Sequence, residues 1–448
     1  MKWLKVSGLV LTGGILLLAV APLFISLNDY ALLIEREVSG ALREPVKVTG
    51  LRAGGLPLPH VTVDGISIGR HGDVTAAHVT ITPDLSSLLG RNKVIRSIRI
   101  DHLVVTQRAL RKIPTWSASR NASEGKGQPV TVRVKRVEID SGLLTLEHLV
   151  FGPFDGRLTL TDDNRLETAS VVTTDRTLRA AIRPDGSSYR VDANARNWTL
   201  PVKPAALHFD ELIVQGLATS MGLDLQSVRG RLYGGTLDGN ATLSWKKGVR
   251  LKGKANLGGV EVSSLSRAFG RPPKLSGRLN ATPVFQANAK RGGELLGVLY
   301  LETPFDIQDG VLQGVDIEKS ASSIFRNKDP SAHTRFDELS GHLVLDRRTR
   351  QFTRLRIAAG SLSAKGKVTV SPDDELSGRI VTNVDGALAS ASMPLNVSGT
   401  VNSPVVLPPA GIAAGAALGT AILGPAGTAL GTALGVKLEQ FFSEEPAQ

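Results

Sequence analysis

Cysteine is absent from this chain of 448 residues. Its absence excludes disulfide bonds, thiolate metal sites, iron–sulfur clusters and a cysteine nucleophile. Histidine is scarce, and none of the eight lies three or four residues from another, so no helical two-histidine metal face is predicted. Aromatic residues make up only 4% of the chain, which leaves few side chains for stacking on nucleic-acid bases. We therefore expect no metal and no cofactor.

Catalytic motifs are also lacking, apart from one segment that matches a motif in residue type but not in its surrounding sequence. Residues 65–69 read Gly-Ile-Ser-Ile-Gly, which fits G-x-S-x-G, but that motif requires a helix directly after the serine turn. The basic, glycine-containing residues 70–72 follow instead, and they do not begin a helix. The chain contains no phosphate-binding loop, dinucleotide glycine fingerprint or H-E-x-x-H. We predict that the protein is not an enzyme and has no catalytic residues.

The net charge of +12 is concentrated in one stretch. Residues 91–136 contain twelve lysines and arginines against two acids, Asp101 and Glu124. A basic surface of this kind is most often a strand face that contacts only water. The alternatives are that it binds anionic lipid headgroups or nucleic acid. Trp116 is the single aromatic residue in the stretch, so a base-stacking platform is not indicated. We predict no nucleic-acid partner.

The N-terminus predicts a membrane anchor. Residues 6–27 carry no charge, and a spanning helix needs about 20 apolar residues. Lys2 and Lys5 precede this segment and Asp29 follows it, so the positive-inside rule places the N-terminus in the cytoplasm and exports the rest. Pro22 follows the small residues 19–21 and disfavours cleavage as a signal peptide. We expect an uncleaved single-pass anchor over residues 1–28, then an amphipathic helix over residues 30–42.

Alternating aliphatic and polar residues predict a mainly β fold after the anchor. Valines at 130, 132, 134, 368 and 370 follow this pattern. Short helices are predicted at residues 83–89, 260–269 and 314–326. Asp-Gly dipeptides, which favour hairpin turns, recur at residues 64–65, 155–156, 185–186, 238–239, 309–310 and 385–386. The apolar strand faces either pack on each other in sandwiches or remain open as a groove, and periodicity does not separate these outcomes.

The C-terminal region has no charged residue from 386 to 436. Its glycines recur every fourth residue, as in closely packed helices: Gly411, Gly415, Gly419, Gly427, Gly431 and Gly435. Gly424-Pro425 separates the two sets and breaks a continuous span. Two interpretations have equal weight, a segment that contacts a membrane and a helical hairpin that caps the sheet.

Several segments follow one another in a specific order. They are residues 44–51, 56–68 and 83–100 in the N-terminal part, and residues 232–243, 306–317, 334–341, 360–370 and 394–404 in the C-terminal half. Taken in this order, they resemble the AsmA family of Gram-negative envelope proteins. On this basis we expect an anchor at 1–28, an AsmA-like αβ region at 29–116, a linker at 117–128, a β-rich AsmA-like region at 129–405 and a helical tail at 406–448. The similarity is weakest between residues 160 and 220.

The resemblance implies a protein anchored in the bacterial inner membrane, with most of the chain in the periplasm. The implied fold is an N-terminal transmembrane helix, an elongated, groove-like meander of antiparallel strands with a few short helices, and a Gly/Ala-rich helical tail. The implied function is phospholipid transfer in support of outer-membrane biogenesis, and the family has no catalytic residues to carry over. The alternative is a membrane-tethered scaffold that assists outer-membrane protein assembly.

In the first hypothesis, acyl chains lie against aliphatic strand faces. The predicted lining residues are Val130, Val132, Val134, Val368, Val370 and Ile380, each with an ordinary core role as the alternative. The inner membrane and phospholipid are the expected partners. The tail is expected to meet the outer membrane or an envelope protein.

Overall fold

The computed structural model describes residues 28–55, 58–87, 93–110, 112, 132–146, 149–200, 205–246, 248–317, 320, 332–385 and 390–412. These residues form twenty-five β-strands and a few short helices, which confirms the predicted mainly β fold class. The chain divides into two compact units, Met1–Pro204 with Gln215–Thr219 (unit 1) and Ala205–Val214 with Ser220–Gln448 (unit 2).

The predicted anchor at residues 6–27 lies outside the described ranges. Within those ranges, no helix combines the length and hydropathy that a membrane span requires. The predicted amphipathic helix is present as α1 (Asn28–Leu42). It is fixed to the strand that follows, because the backbone N–H of Val46 donates to Ser39 Oγ (2.9 Å) and that of Val48 donates to Glu35 Oε1 (2.6 Å).

Unit 1 contains twelve of the described strands. They are β1 (Val46–Lys47), β2 (Gly50–Gly54), β3 (His60–Ile68), β4 (Val74–Pro83), β5 (Lys93–Asp101), β6 (Val104–Thr106), β7 (Val132–Val134), β8 (Arg136–Thr145), β9 (Val150–Leu160), β10 (Leu166–Thr173), β11 (Leu178–Asp185) and β12 (Ser188–Leu200). Strand β3 pairs antiparallel with β1, β2 and β4, and β8 to β12 form an antiparallel meander.

One part of unit 1 departs from the expected antiparallel meander. Strand β5 pairs in parallel with β7 and β8, and β6 pairs in parallel with β8. Parallel neighbours need a crossover connection because a tight hairpin reverses the strand direction. Residues 107–131 make that connection, and residues 107–110 at its start are helical.

Strand β13 (Leu207–Thr219) crosses the division between the units, and the later strands belong to unit 2. These are β14 (Gly222–Leu232), β15 (Gly235–Ser244), β16 (Val249–Glu261), β17 (Arg278–Ala281), β18 (Val284–Ala289), β19 (Tyr300–Gln313), β20 (His333–Asp346), β21 (Thr349–Ala359), β22 (Leu362–Val370), β23 (Leu376–Asp385), β24 (Ser390–Thr400) and β25 (Ser403–Leu407). All pairings of β14 to β25 are antiparallel, and β17 and β18 both lie between β16 and β19.

The three predicted short helices agree with the structure to different extents. The helix expected at 260–269 is α2 (Val262–Ala268). Of the one expected at 83–89, residues 83–87 are described, and they contain a 3-10 turn, Leu85–Ser87. Of the helix expected at 314–326, residues 314–317 and 320 are described, and of these Ile317 and Ser320 are helical whereas residues 314–316 are not. Two further 3-10 turns, Gly292–Glu294 and Leu296–Val298, connect β18 to β19.

Most Asp-Gly dipeptides do not form the hairpins that were predicted from them. Residues 185–186 do turn the chain, between β11 and β12. At 385–386, Asp385 ends β23 and Gly386 lies outside the described residues. The pairs at 64–65, 155–156, 238–239 and 309–310 lie inside β3, β9, β15 and β19. Gly65 and Asp309 adopt positive φ angles of 59° and 51° there, and the strand register continues unchanged past both residues. A residue with positive φ occurs here inside a strand as well as in a turn, so the dipeptide alone does not separate the two.

Candidate functional site

The strands of unit 2 have one polar and one apolar face. In β16, Arg250, Lys252 and Lys254 are exposed, whereas Leu251 and Leu257 are half-buried. Successive side chains of a strand point to opposite faces. The alternation therefore places the cations on one face of the sheet and the leucines on the other.

Strand register extends the leucine surface across neighbouring strands. Leu243 of β15 pairs with Leu223 of β14 and with Leu251 of β16. Phe285 of β18 pairs with Leu301 of β19 in the same alternation. Directly opposed side chains lie about 5 Å apart and form a continuous surface. We call this surface the apolar face, and its larger members are Leu223, Leu225, Leu237, Leu243, Leu251, Leu257, Phe285, Leu301 and Leu345.

Burial changes along the strands. Near α2, Ile307 and Phe336 are only 4% exposed and pack against Val262 and Leu275 in a closed core. Toward the opposite ends of the strands, the members of the apolar face stay half-buried. The core is thus dense at the α2 end, and apolar area remains accessible away from it.

The accessible part of the apolar face suits an extended hydrocarbon chain. Transferring apolar surface from water to such a face is favourable, by about 0.8 kcal/mol for each buried CH₂ group. The polar face of the same strands stays hydrated through its lysines and arginines. The two faces of these strands therefore differ. One face can contact an apolar ligand, and the other stays in contact with water.

The strands that build the apolar face coincide with a sequence match. Residues 202–349 match the family model of the AsmA family. The match extends over 148 of the 448 residues. The predicted resemblance is thereby confirmed over β13 to β20, the strands that contain every named member of the apolar face. The chain matches no curated protein and no solved structure.

Three of the predicted lining residues lie together just beyond the AsmA segment. Val368 and Val370 alternate on β22, and Ile380 lies on β23 opposite Gly366. All three continue the alternation of the apolar face, because Val368 pairs with Phe352 and Phe352 pairs with Leu343 of β20. Val370 is 5% and Ile380 7% exposed, whereas Val368 is half-buried.

The other predicted lining residues belong to a different part of the molecule. Val132 and Val134 lie on β7 of unit 1, opposite Lys93 and Ile95 of β5. Val132 is 42% exposed and Val134 half-buried. Val130 lies outside the described residues. The five described residues are therefore divided between the two units.

The predicted glycine tail is described only at its start. Gly411 is exposed, and the neighbouring Ile412 is fully buried. Gly415, Gly419, Gly427, Gly431 and Gly435 lie outside the described residues.

Sequence analysis missed the leucines of β14 to β16. Their signal was present as strict alternation, with Leu223 and Leu225 on either side of Asp224, and Leu251 next to Lys252. The alternation identifies an apolar face, but it does not show that this face stays half-buried after folding.

A group of charges lies beside the apolar face of β21 and β22. Arg350, half-buried, pairs with Leu345 and Val370 in the strand ladders. Its guanidinium donates to the carboxylate of Asp374, which also accepts a hydrogen bond from Arg271 Nη1 (3.1 Å). The hydrogen bond from Arg350 is the main cause that lowers the pKa of Asp374 below its ordinary value. This ion pair balances the charge of Arg350 at the margin of an apolar surface, although the buried Nε of Arg350 has no hydrogen-bond partner among the described residues.

The polar face contains a shallow depression of about 450 Å³, lined by Lys252, Lys254, Tyr300 and Glu302 among others. Glu302 accepts a hydrogen bond from Tyr300 and lies 2.8 Å from His342 Nε2. The Glu302 carboxylate raises the pKa of Tyr300. In the ranges that the structure describes, no group of three potential metal ligands occurs. The depression therefore mixes charges of both signs and lacks a recognisable metal site.

Proposed function

We propose that this protein is a bacterial envelope protein that handles lipid, with phospholipid acyl chains held on the apolar face of unit 2. The supporting observation is the row of half-buried leucines that runs across β14, β15 and β16. A closed sandwich would bury such leucines almost completely, as it buries Ile307 and Phe336 near α2. The AsmA-family match over the same strands agrees with an envelope role.

The proposed location follows from the sequence. The uncharged residues 6–27 would anchor the chain in the bacterial inner membrane, with the N-terminus cytoplasmic and most of the chain periplasmic. The glycine-rich tail would meet the outer membrane or an envelope protein. In this arrangement the protein supports outer-membrane biogenesis by transferring phospholipid, and it does so without catalysing a reaction.

A second function, a membrane-tethered scaffold for outer-membrane protein assembly, is favoured by one observation. Val370 and Ile380 are buried, and Leu395 beside them on β24 is fully buried. The C-terminal strands therefore contain a closed core of the kind that a non-transporting scaffold needs. The two proposals differ in whether the leucines of β14 to β16 contact lipid in the cell.

Photo-crosslinking at adjacent residues tests the lipid proposal. A photoreactive phenylalanine analogue placed at Leu251 points to the apolar face, and the same analogue at Lys252 points to the polar face. Both reporters lie on one strand, so they share expression, location and exposure to light. We expect phospholipid adducts at position 251 and few or none at position 252. Equal yields at both positions would contradict the proposal, and adducts with an envelope protein alone would favour the scaffold.

Substitutions provide a second measurement on the full chain. Leu243→Gln/Leu251→Gln replaces a cross-strand pair on the apolar face, and Thr242→Gln/Lys252→Gln replaces the adjacent pair on the polar face. Phospholipid that co-purifies in mild detergent is counted by mass spectrometry. We expect the first variant to retain at most half of the phospholipid per chain that the control retains. Equal retention in two folded variants would show that the apolar face is not the binding surface.

A further inference from the structure

Several loops of unit 2 meet at one end of its strands, away from α2. The backbone N–H of Trp245 donates to Met221 O (3.0 Å), and its indole N–H donates to Ser220 O (2.8 Å). These bonds join the loop after β15 to the loop before β14. Val249 pairs with Ala289, so the loop after β15 also adjoins the loop that leaves β18.

The loop after β20 extends the same edge. The backbone N–H of Arg347 donates to Leu299 O (2.9 Å), at the end of the connection from β18 to β19. Four loops therefore form one continuous surface, which we call the loop edge. It consists of residues 220–221, 245–246, 248, 290–299 and 347–348.

The loop edge exposes large apolar side chains. Met221 is 49% exposed, Trp245 44%, Leu296 49% and Val298 37%. Seven large hydrophobic side chains are exposed in the described part of unit 2, so four of the seven lie on this one edge. Such clustering marks an interaction surface, because exposed apolar residues in soluble proteins are normally scattered.

Exposed cations surround these apolar side chains. Lys246, Lys290, Arg347 and Arg348 are exposed. The acids beside them are Asp346, next to Arg347, and Asp373, whose neighbour Pro372 accepts a hydrogen bond from Arg348 Nη2 (3.2 Å). Arg291 and Glu294 lie 3.9 Å apart and offset each other. Among the residues that the structure describes, Lys246, Lys290 and Arg347 form no ion pair. The edge therefore has an excess of positive charge directly beside its apolar side chains.

We propose that the loop edge docks on the surface of an anionic phospholipid bilayer. Tryptophan favours the level of the lipid headgroups, since its ring is apolar and its N–H is polar. Met221, Leu296 and Val298 would enter the boundary between headgroups and acyl chains, while the lysines contact phosphate groups. The apolar side chains are spread over three loops, 220–221, 245–246 and 290–299, rather than gathered into one site for a protein anchor residue. Docking would bring the accessible end of the apolar face to a membrane, and in this sense it extends the proposed function.

Fluorescence of Trp245 in the full chain tests this proposal. Replacing Trp3, Trp116 and Trp198 with phenylalanine leaves Trp245 as the single reporter. The control chain has Trp245→Phe as well and gains Phe269→Trp, a reporter that follows α2 beyond the other end of β16. Phe269 is 47% exposed, so the two reporters start with similar exposure. Because both chains contain residues 6–27, insertion of that segment affects them equally.

The chains are mixed with vesicles of phosphatidylethanolamine and phosphatidylglycerol, with or without bromine on the acyl chains. We expect brominated vesicles to reduce Trp245 emission by at least half and to leave the reporter at position 269 unchanged. Lys246→Glu/Lys290→Glu should abolish the quenching, as should vesicles without phosphatidylglycerol. Absence of quenching at Trp245, or equal quenching at both positions, would overturn the proposal and leave an acidic protein as the candidate partner.

One further step separates docking from lipid held on the apolar face. Raising the salt concentration screens the lysines from phosphate groups without releasing residues 6–27, so it should restore Trp245 emission if the edge docks through its cations. Quenching that persists at high salt would mean that extracted lipid lies near Trp245, which would support the lipid-handling function and overturn membrane docking. Failure of the lipid-handling proposal is measured independently, by the crosslinking yields at positions 251 and 252.

Discussion

Phe336 of β20 covers Gly310 of β19 across the strand ladder. The two residues are direct cross-strand partners, and Phe336 is only 4% exposed. A Cβ atom on Gly310 would overlap the end of the phenyl ring and the backbone oxygen of Ser276. Glycine is required here because it alone allows the ring to lie flat against the neighbouring strand.

The same pairing recurs three times in the described residues. Phe154 is opposite Gly142, Phe285 is opposite Gly253, and Phe305 is opposite Gly341. A Cβ atom on Gly253 would lie 2.6 Å from the Phe285 ring, and one on Gly341 would lie 3.2 Å from Phe305. Rings that lie over glycine thus fill the apolar side of these strands with few aromatic residues.

Gly310→Ala should destabilise unit 2. The added methyl group must displace the ring of Phe336 or the backbone at Ser276, and forced repacking of this kind costs about 1–3 kcal/mol. Gly292→Ala is the control, since nothing lies within 4 Å of its Cβ position, and we expect a change within about 0.5 kcal/mol. Urea unfolding of both variants measures the difference. Equal stability would mean that Phe336 moves aside freely.

These glycines show why sequence analysis interpreted the Asp-Gly dipeptides wrongly. Asp309-Gly310 was predicted to form a hairpin turn, yet β19 runs through it and Gly310 is needed for Phe336. Gly239 likewise lies inside β15, close to the backbone of Lys254 in the next strand. The local sequence determines which backbone conformations the dipeptide favours. The ring or strand that packs against it comes from a distant part of the chain, so the local sequence does not reveal it.

The fold class and α2 were predictable from local patterns, but the accessible surface was not. Alternation correctly predicted strands at Val368 and Val370. It gave the same signal for the buried Val370 and the half-buried Leu251. How deeply a strand side chain is buried depends on which elements pack above it. Contacts between residues far apart in sequence determine which elements these are. The parallel pairing of β5 with β8 is long-range for the same reason.

Glu261→Ala should weaken the start of α2. The Glu261 carboxylate accepts hydrogen bonds from the backbone N–H groups of Ser263 (3.1 Å) and Ser264 (2.7 Å). Loss of an N-cap costs about 1 kcal/mol. The exposed Glu294→Ala is the control, and we expect it to change stability by less than half as much. Urea unfolding at pH 7 provides the measurement, and identical midpoints would contradict the capping role.

The contribution of Glu261 should depend on pH. Burial raises its pKa, but the hydrogen bonds from Ser263 and Ser264 outweigh burial and hold the pKa below its ordinary value of 4.5. A lowered pKa in the folded state stabilises the protein above the ordinary value, and this contribution is lost as pH falls through the folded-state value. The stability difference between wild type and Glu261→Ala should therefore narrow below about pH 4.5. A constant difference down to pH 3 would contradict this assignment.

Asp374→Asn should destabilise the margin of the apolar face. The substitution weakens the hydrogen bonds from Arg350 and Arg271, and Arg350 is half-buried. Because Asp374 itself is 34% exposed, solvent screening limits the loss to about 1 kcal/mol. Arg350 lowers the pKa of Asp374, so the loss should be complete above the ordinary value of 3.8 and diminish below it.

Asp373→Asn is the matched control for Asp374. Asp373 is adjacent and exposed, and among the described residues it forms no ion pair. We expect this variant to unfold at the wild-type urea concentration at pH 7. If both substitutions shift the midpoint equally, the effect comes from the turn that contains them rather than from the contacts with Arg350 and Arg271.

Removal of phospholipid should lower the thermal stability of the wild-type chain. A ligand that binds only the folded state stabilises it by about 2.7 kcal/mol when its concentration is 100 times Kd. Lipid on the apolar face would act in this way, because the cross-strand pair of Leu243 and Leu251 exists only after β15 and β16 have paired. We expect delipidation in detergent to lower the melting temperature of the wild type and of Thr242→Gln/Lys252→Gln by several degrees. Leu243→Gln/Leu251→Gln should melt at the same temperature before and after delipidation. If this variant also loses stability with lipid removal, the stabilising lipid binds elsewhere on the chain.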